Sequence, residues 1–384
     1  MLWINNINTK FWSAAVNSTN ANIYSLSVFR ILTGVFLLFI VTPNYAWMAD
    51  LPKAFFIPPV LSIINLFADN FPGEVILFIA DFTLIASIVA ITLGIKPRIA
   101  VFVFIITKVG VLNYQYSFGK IDHEILLPAM LACMSFSGWG LKLALWPDRP
   151  AKFDSTTKCL SLLAVLICFG YFTAGFEKAI NWINFDLSSN GSARWFYNSL
   201  YNYQRQPILA PLLKTAPFWL FKIMDFTGVL FELMPFAALL YSRKAWQTWL
   251  LMAAGFHLIN LLFFNINFIV NGIVYMAFID YSLLYNFIKK TIALSWMRIA
   301  IIIAIIYAVG VRVVSILTFE KVGIVLLPYN INIQLYGMLC LWTLICITIL
   351  IDVLHSKKRN LPYEIDVLSP QLHKNNLIDH QTTI

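Results

Sequence analysis

Stretches of roughly 20 apolar residues, each long enough as a helix to cross a hydrocarbon core about 30 Å thick, recur along the whole of this 384-residue chain. They lie at residues 24–45, 74–93, 98–115, 123–142, 157–180, 218–240, 245–264, 267–288, 296–318 and 330–352. In lipid every backbone N–H and C=O must find its partner within the segment, so a helix is the expected form of each. Composition agrees: 60% of residues are apolar and 12% charged, whereas a soluble domain carries about a quarter charged residues to cover its wet surface. The expected fold is all-α, a polytopic integral membrane bundle of about ten transmembrane helices. Disorder, a collagen-like repeat and nucleic-acid binding are excluded as main themes.

The net charge of +9, from 27 basic and 18 acidic residues, is spread singly and in pairs between apolar runs. Such spacing orients a membrane protein rather than binding a polyanion. Lys and Arg concentrate in alternate connections, namely the N-terminus, Lys96/Arg98, Lys142 to Lys158, Arg243/Lys244, Lys289/Lys290 and Lys357-Lys358-Arg359. By the positive-inside rule both termini are expected in the cytoplasm and the connection near 181–217 on the opposite side; the expected location is a bacterial inner membrane. The division is then an N-terminal interfacial segment (1–23), a membrane domain (24–352) and a polar cytoplasmic tail (353–384). Residues 1–22 lack the continuous apolar core of a cleavable signal. Trp182, Trp195, Phe196, Tyr197, Tyr201, Tyr203 and Arg205 mark 181–217 as interfacial, either a belt in the headgroups or a lid over a site. Pro52 to Phe67 reads as an interfacial helix on the same face. Cys133, Cys159, Cys168, Cys340 and Cys346 lack ligand spacing and read as packed thiols. No internal repeat is visible.

Polar side chains at membrane depth are costly, and they face the bundle interior and pair or work there. Glu177 and Lys178 close the run 157–180, but adjacent helical residues point about 100° apart and need not meet. Lys178 reads either as a snorkelling interfacial lysine or as a group facing a cavity. Asp225 and Glu232, seven apart, share a helical face, as do His257 and Asn260, three apart. Asn267, Asn271 and Asp280 lie in the run 267–288. Taken singly these are interhelical hydrogen-bonding groups, and together with Lys178 they suggest one polar cluster. Upstream, Lys108 lies inside a run, and His123 stands between Asp122 and Glu124. There is no HExxH, multiple-histidine helix, serine elbow or phosphate loop, so no metal is expected.

Three segments in order, Leu26-Ser27-Val28-Phe29-Arg30-Ile31-Leu32-Thr33-Gly34, Tyr171-Phe172-Thr173-Ala174-Gly175-Phe176-Glu177-Lys178 and Phe256-His257-Leu258-Ile259-Asn260, resemble the membrane domain of vitamin K-dependent gamma-glutamyl carboxylase. They resemble equally its bacterial relatives, the horizontally transferred transmembrane (HTTM) domain proteins, over roughly residues 20 to 290. The resemblance implies that Lys178 is the base that deprotonates a reduced quinone. It makes His257 and His123 the further catalytic candidates. Asn260, Glu232, Asp225 and Arg30 become candidates for holding that cofactor. A desolvated ammonium gives up its proton more readily, which is the physical sense of a lysine base.

The chain departs from the carboxylase in two ways. It ends soon after its last apolar run, where the carboxylase continues into a large lumenal domain, and residue 177 is Glu where the carboxylase has a second Lys. Gamma-carboxylation of protein glutamate is therefore not expected, while a quinol or lipid-like substrate remains. Two other readings stay open: a small-solute or proton transporter, and a non-catalytic membrane partner in peptide export, immunity or maturation. The expected partners are membrane lipids and a lipophilic small molecule or peptide, with no nucleic acid.

Overall fold

A computed structural model describes residues 2–40, 44–60, 62–119, 124–318 and 322–355 of the chain. Its helices are α1 (Leu2–Thr19), α2 (Ile23–Phe39), α3 (Glu74–Leu93), α4 (Pro97–Gln115), α5 (Leu126–Ser135), α6 (Thr156–Trp182), α7 (Gly191–Tyr197) and α8 (Ala210–Lys214). There follow α9 (Phe218–Leu233), α10 (Pro235–Tyr241), α11 (Arg243–Phe264), α12 (Ile269–Met276), α13 (Ser282–Ala293), α14 (Ser295–Thr318) and α15 (Ile331–His355). No β-strand occurs among the described residues. Six helices, α3, α4, α6, α11, α14 and α15, are long and apolar enough to cross a membrane, and the number rises to eight if the pairs α1/α2 and α9/α10 each count as one broken span. The chain is thus built as a multi-pass helical membrane protein, with six to eight candidate spans rather than ten.

The discrepancy has local causes. The run 123–142 holds only the ten-residue α5, which ends at Ser135, roughly 15 Å of helix, and three residues on Gly138 takes a left-handed φ of +78° as the chain turns. The run 267–288 is divided into α12 and α13, and Asp280 accepts the Ser282 N–H at 2.9 Å to start the second. The run 218–240 bends by 44° where α9 gives way to α10 at Pro235. Pro52 to Phe67 forms 3-10 turns at Lys53–Phe55 and Ile63–Leu66 in place of an interfacial helix. Hydropathy reports the solvent of a segment and is silent about such breaks. The tail expected from 353 lies outside the described residues beyond His355.

The chain divides into two compact units. One comprises residues 21–160 and 280–331, with α2 to α5, α13 and α14. Its centre is the fully buried Arg30 on α2. The guanidinium has five N–H donors, and here all meet backbone carbonyls: Nε to Trp139, Nη1 to Ile91 and Thr92, Nη2 to Lys142 and Leu143. A helix ends with four carbonyls lacking intrahelical partners. Those of α3 are all met, Ala90 by the Ile95 N–H, Ile91 and Thr92 by Arg30, and Leu93 by the Leu145 N–H. Gly34, one turn beyond Arg30, lets α2 reach α3, since a Cβ there would fall 2.8 Å from the Thr92 Cα. Arg312 of α14 treats the end of α2 alike, its Nε donating to the Leu38 carbonyl at 3.1 Å. The Lys96 N–H donates to the Trp146 carbonyl at 2.8 Å and Arg98 pairs with Asp154 at 2.6 Å. The loop after α5 therefore returns to the end of the unit where α4 begins.

The other unit comprises residues 1–20, 161–279 and 332–356, with α1, most of α6, α7 to α12 and α15. Trp246, Trp249, Leu250, Ala253, Tyr275 and Trp342 are buried at its core. Pro235 has no N–H to give the carbonyl four residues back, and that carbonyl, Phe231, takes the Trp249 indole N–H at 3.3 Å. The segment 181–217 has a small core of its own, Ala193, Phe196, Ala210 and Leu213 against Phe221 and Phe264.

Candidate functional site

One face of α6 carries Tyr171, Gly175 and Lys178, at i, i+4 and i+7. Gly175 is the contact point with α9, where a Cβ would lie 2.8 Å from the Glu232 Cβ and 3.1 Å from its carbonyl carbon. This close approach brings Lys178 Nζ to 2.5 Å from Glu232 Oε1. Nζ also stands 5.3 Å from the centre of the Trp182 ring. The lysine side chain is 30% exposed and the glutamate 4%, so a reachable ammonium is tied to a buried carboxylate. The other carboxylate oxygen, Oε2, is buried with no hydrogen-bond partner among the described residues. Glu177 is exposed on another face, and the acid that Lys178 meets comes from α9.

Two turns of α6 back from Lys178, the Tyr171 hydroxyl lies 2.8 Å from His257 Nε2 on α11 and 2.6 Å from the Tyr275 hydroxyl on α12. The triangle closes with His257 Nε2 at 2.7 Å from Tyr275. All three are buried. Aromatic rings enclose them, Trp249 edge-on to Tyr171 at 4.8 Å, and Phe268 and Trp342 against His257 at 4.6 and 5.3 Å. Three polar atoms in mutual contact with two hydroxyl protons form a node through which a proton can be passed without moving a heavy atom. Tyr171 and Lys178 stand on the same face of α6, so node and pair lie along one side of that helix.

The connection after α6 is pinned by α9. Lys222 donates to the Asn184 side chain at 2.9 Å and to the Ser189 carbonyl at 2.5 Å. Asp225 accepts the Gly191 N–H at 2.9 Å, the Ser192 N–H at 2.7 Å and the Ser192 hydroxyl at 2.6 Å. Trp182 fits beneath Gly191, whose missing side chain leaves room for the ring. Within this loop the Ser188 hydroxyl and N–H hold the Asp186 carboxyl below the usual carboxylate range.

The expected single cluster is therefore two arrangements. Glu232 and Lys178 form the pair and His257 anchors the node, whereas Asp225 holds the start of α7. The Asn260 side chain makes no hydrogen bond among the described residues, and its carbonyl receives the Ile266 N–H. The Asn267 side chain caps Ile269 at 3.0 Å. Arg30 spends every donor on carbonyls of its own unit. His123 lies outside the described residues, and its neighbour Glu124 pairs with Lys108 at 3.0 Å, which also donates to the Tyr45 hydroxyl. Tyr275 had no role in the sequence reading, Tyr171 entered it only as part of the resemblance motif, and Trp182 only as an interfacial aromatic. Their signal was there, because a tyrosine inside an apolar run needs a partner for its hydroxyl. Compared with family models, curated proteins and solved structures, the chain matches none.

Proposed function

We propose that this chain is a membrane-embedded acid–base enzyme acting on a lipophilic quinol-class molecule, as its resemblance to the HTTM and carboxylase membrane domains implies. The observation that carries the reading is the Lys178–Glu232 pair, with Nζ partly exposed and 2.5 Å from a buried carboxylate. Transfer of one proton from Nζ to Oε1 turns two ions into an amine and a carboxylic acid, and neutral groups are cheaper to hold away from water than ions. The amine then accepts the hydroxyl proton of the quinol, leaving an ammonium beside the quinolate it stabilises. The Tyr171–His257–Tyr275 node supports a proton reservoir behind the pair. It equally favours a second reading, in which the same groups relay protons without chemistry on a substrate.

Protein purified in mild detergent separates the two. Mass spectrometry is expected to find a quinone retained by wild type and lost from Lys178→Ala and His257→Ala, with all three eluting as folded monodisperse protein. Equal retention by the three overturns the enzyme reading. Proton flux into liposomes above that of empty vesicles, abolished by Glu232→Gln, establishes the relay instead.

A further inference from the structure

Helix α13 has 12 residues and none of them is buried. At about 1.5 Å per residue it is some 18 Å long and too short to span. Its position is nevertheless fixed. At one end it is tied to the start of α2, where Asn22 donates to the Ser282 hydroxyl at 2.7 Å, the Tyr281 N–H meets the Ser25 hydroxyl at 2.8 Å, and Tyr24 and Tyr285 meet edge-on at 4.9 Å. At the other end a single residue, Leu294, separates it from α14, a candidate span of 24 residues. Where a spanning helix begins is a membrane surface, so the end of α13 that leads into α14 stands at that surface.

The faces of α13 fit that place. Leu284, Ile288 and Ile292 are half-buried along one side. Leu283 and Phe287 are 78% and 64% exposed on another, apolar surface that acyl chains can cover. Beside them Asn286, Lys289 and Lys290 form an exposed polar strip. Across the junction, in the first turn of α14, Trp296 and Arg298 are exposed as well, and tryptophan is the residue of headgroup depth. None of the ion pairs among the described residues involves Lys289, Lys290 or Arg298. Three cations thus flank a one-residue joint at the membrane surface, with an apolar edge alongside.

We propose that the α13–α14 junction is a binding site for the phosphate of anionic membrane lipids, held by Lys289, Lys290 and Arg298 with Leu283 and Phe287 under its acyl chains. The site is independent of the Lys178 reading and lies in the other unit. Headgroup attraction amounts to about fivefold in affinity per basic residue at the surface.

The test uses the full chain, delipidated in detergent and offered equimolar phosphatidylglycerol and phosphatidylcholine, with retained lipid counted by native mass spectrometry. Wild type is expected to retain the anionic lipid in excess. Replacing Lys289, Lys290 and Arg298 by Gln, singly and together, should lower that excess by about fivefold per charge removed. Lys152→Gln, an exposed basic residue in a loop, should leave it intact. No preference in wild type, an excess that survives the triple replacement, or full displacement of the lipid by an equal concentration of inorganic phosphate overturns the proposal.

Discussion

Gly175 and the pair it permits show how a single missing side chain sets a chemical distance. The atoms a Cβ would meet at 2.8 and 3.1 Å belong to the Cβ and backbone of Glu232, and they cannot swing aside. Gly175→Ala is expected to push α6 from α9, lowering stability by about 1–3 kcal/mol and parting Lys178 from Glu232. Thermal unfolding in detergent measures the first, and loss of coupling between Lys178→Met and Glu232→Gln in a double-mutant cycle measures the second. In the native background that cycle should give a coupling of about 1–3 kcal/mol. The lysine is 30% exposed, which keeps the value below that of a fully buried pair. A native coupling near zero would mean that the two groups act separately.

At the scale of the element, the recurring problem is the helix end or break inside an apolar surround, and the recurring solution is a donor from another helix. Arg30 serves the end of α3, Arg312 the end of α2, Ser199 the Phe264 carbonyl at the end of α11, and Trp249 the carbonyl freed by Pro235. Without water, a carbonyl left alone costs about 1–3 kcal/mol. Trp249→Phe keeps a ring in the core but removes the indole N–H, leaving Phe231 only the long contact from the Met234 N–H at 3.4 Å. A loss of about 1–3 kcal/mol is expected, and a smaller loss in Pro235→Ala/Trp249→Phe, where the restored N–H can serve the same carbonyl. Equal losses in thermal unfolding would show that the indole bond is not what the kink needs.

For the molecule as a whole, the return of the chain after α5 is a topological statement. Lys96 and the loop from Lys142 to Asp154 lie at one end of their unit, joined by Lys96–Trp146 and Arg98–Asp154, although α5 has only ten residues. Cysteines placed at Lys96 and Lys152, with the native thiols replaced, are expected to react with a membrane-impermeant maleimide from the same side. Labelling from opposite sides would contradict the fold of this unit. The same case separates what was legible from what was not. Charge alternation put these two connections in one group, and the structure joins them through Lys96–Trp146 and Arg98–Asp154. Hydropathy extended α5 to a full span, because transfer free energy sums over side chains and does not register the left-handed turn at Gly138. Arg30, Lys178 and His257 were identifiable as polar groups that had to be accommodated inside apolar runs, since their desolvation cost is a property of the residue. Their partners were not identifiable: Arg30 meets carbonyls from two stretches of chain, 91–92 and 139–143, Lys178 meets Glu232 rather than its neighbour Glu177, and His257 meets two tyrosines. The sequence by itself determined that the chain is helical and made for a membrane, because both follow from residue-by-residue solvation and local backbone bonding. Only the tertiary structure decided how many helices are long enough to cross and which polar groups meet. Those outcomes depend on breaks and close approaches between segments distant along the chain, and no local sum contains them.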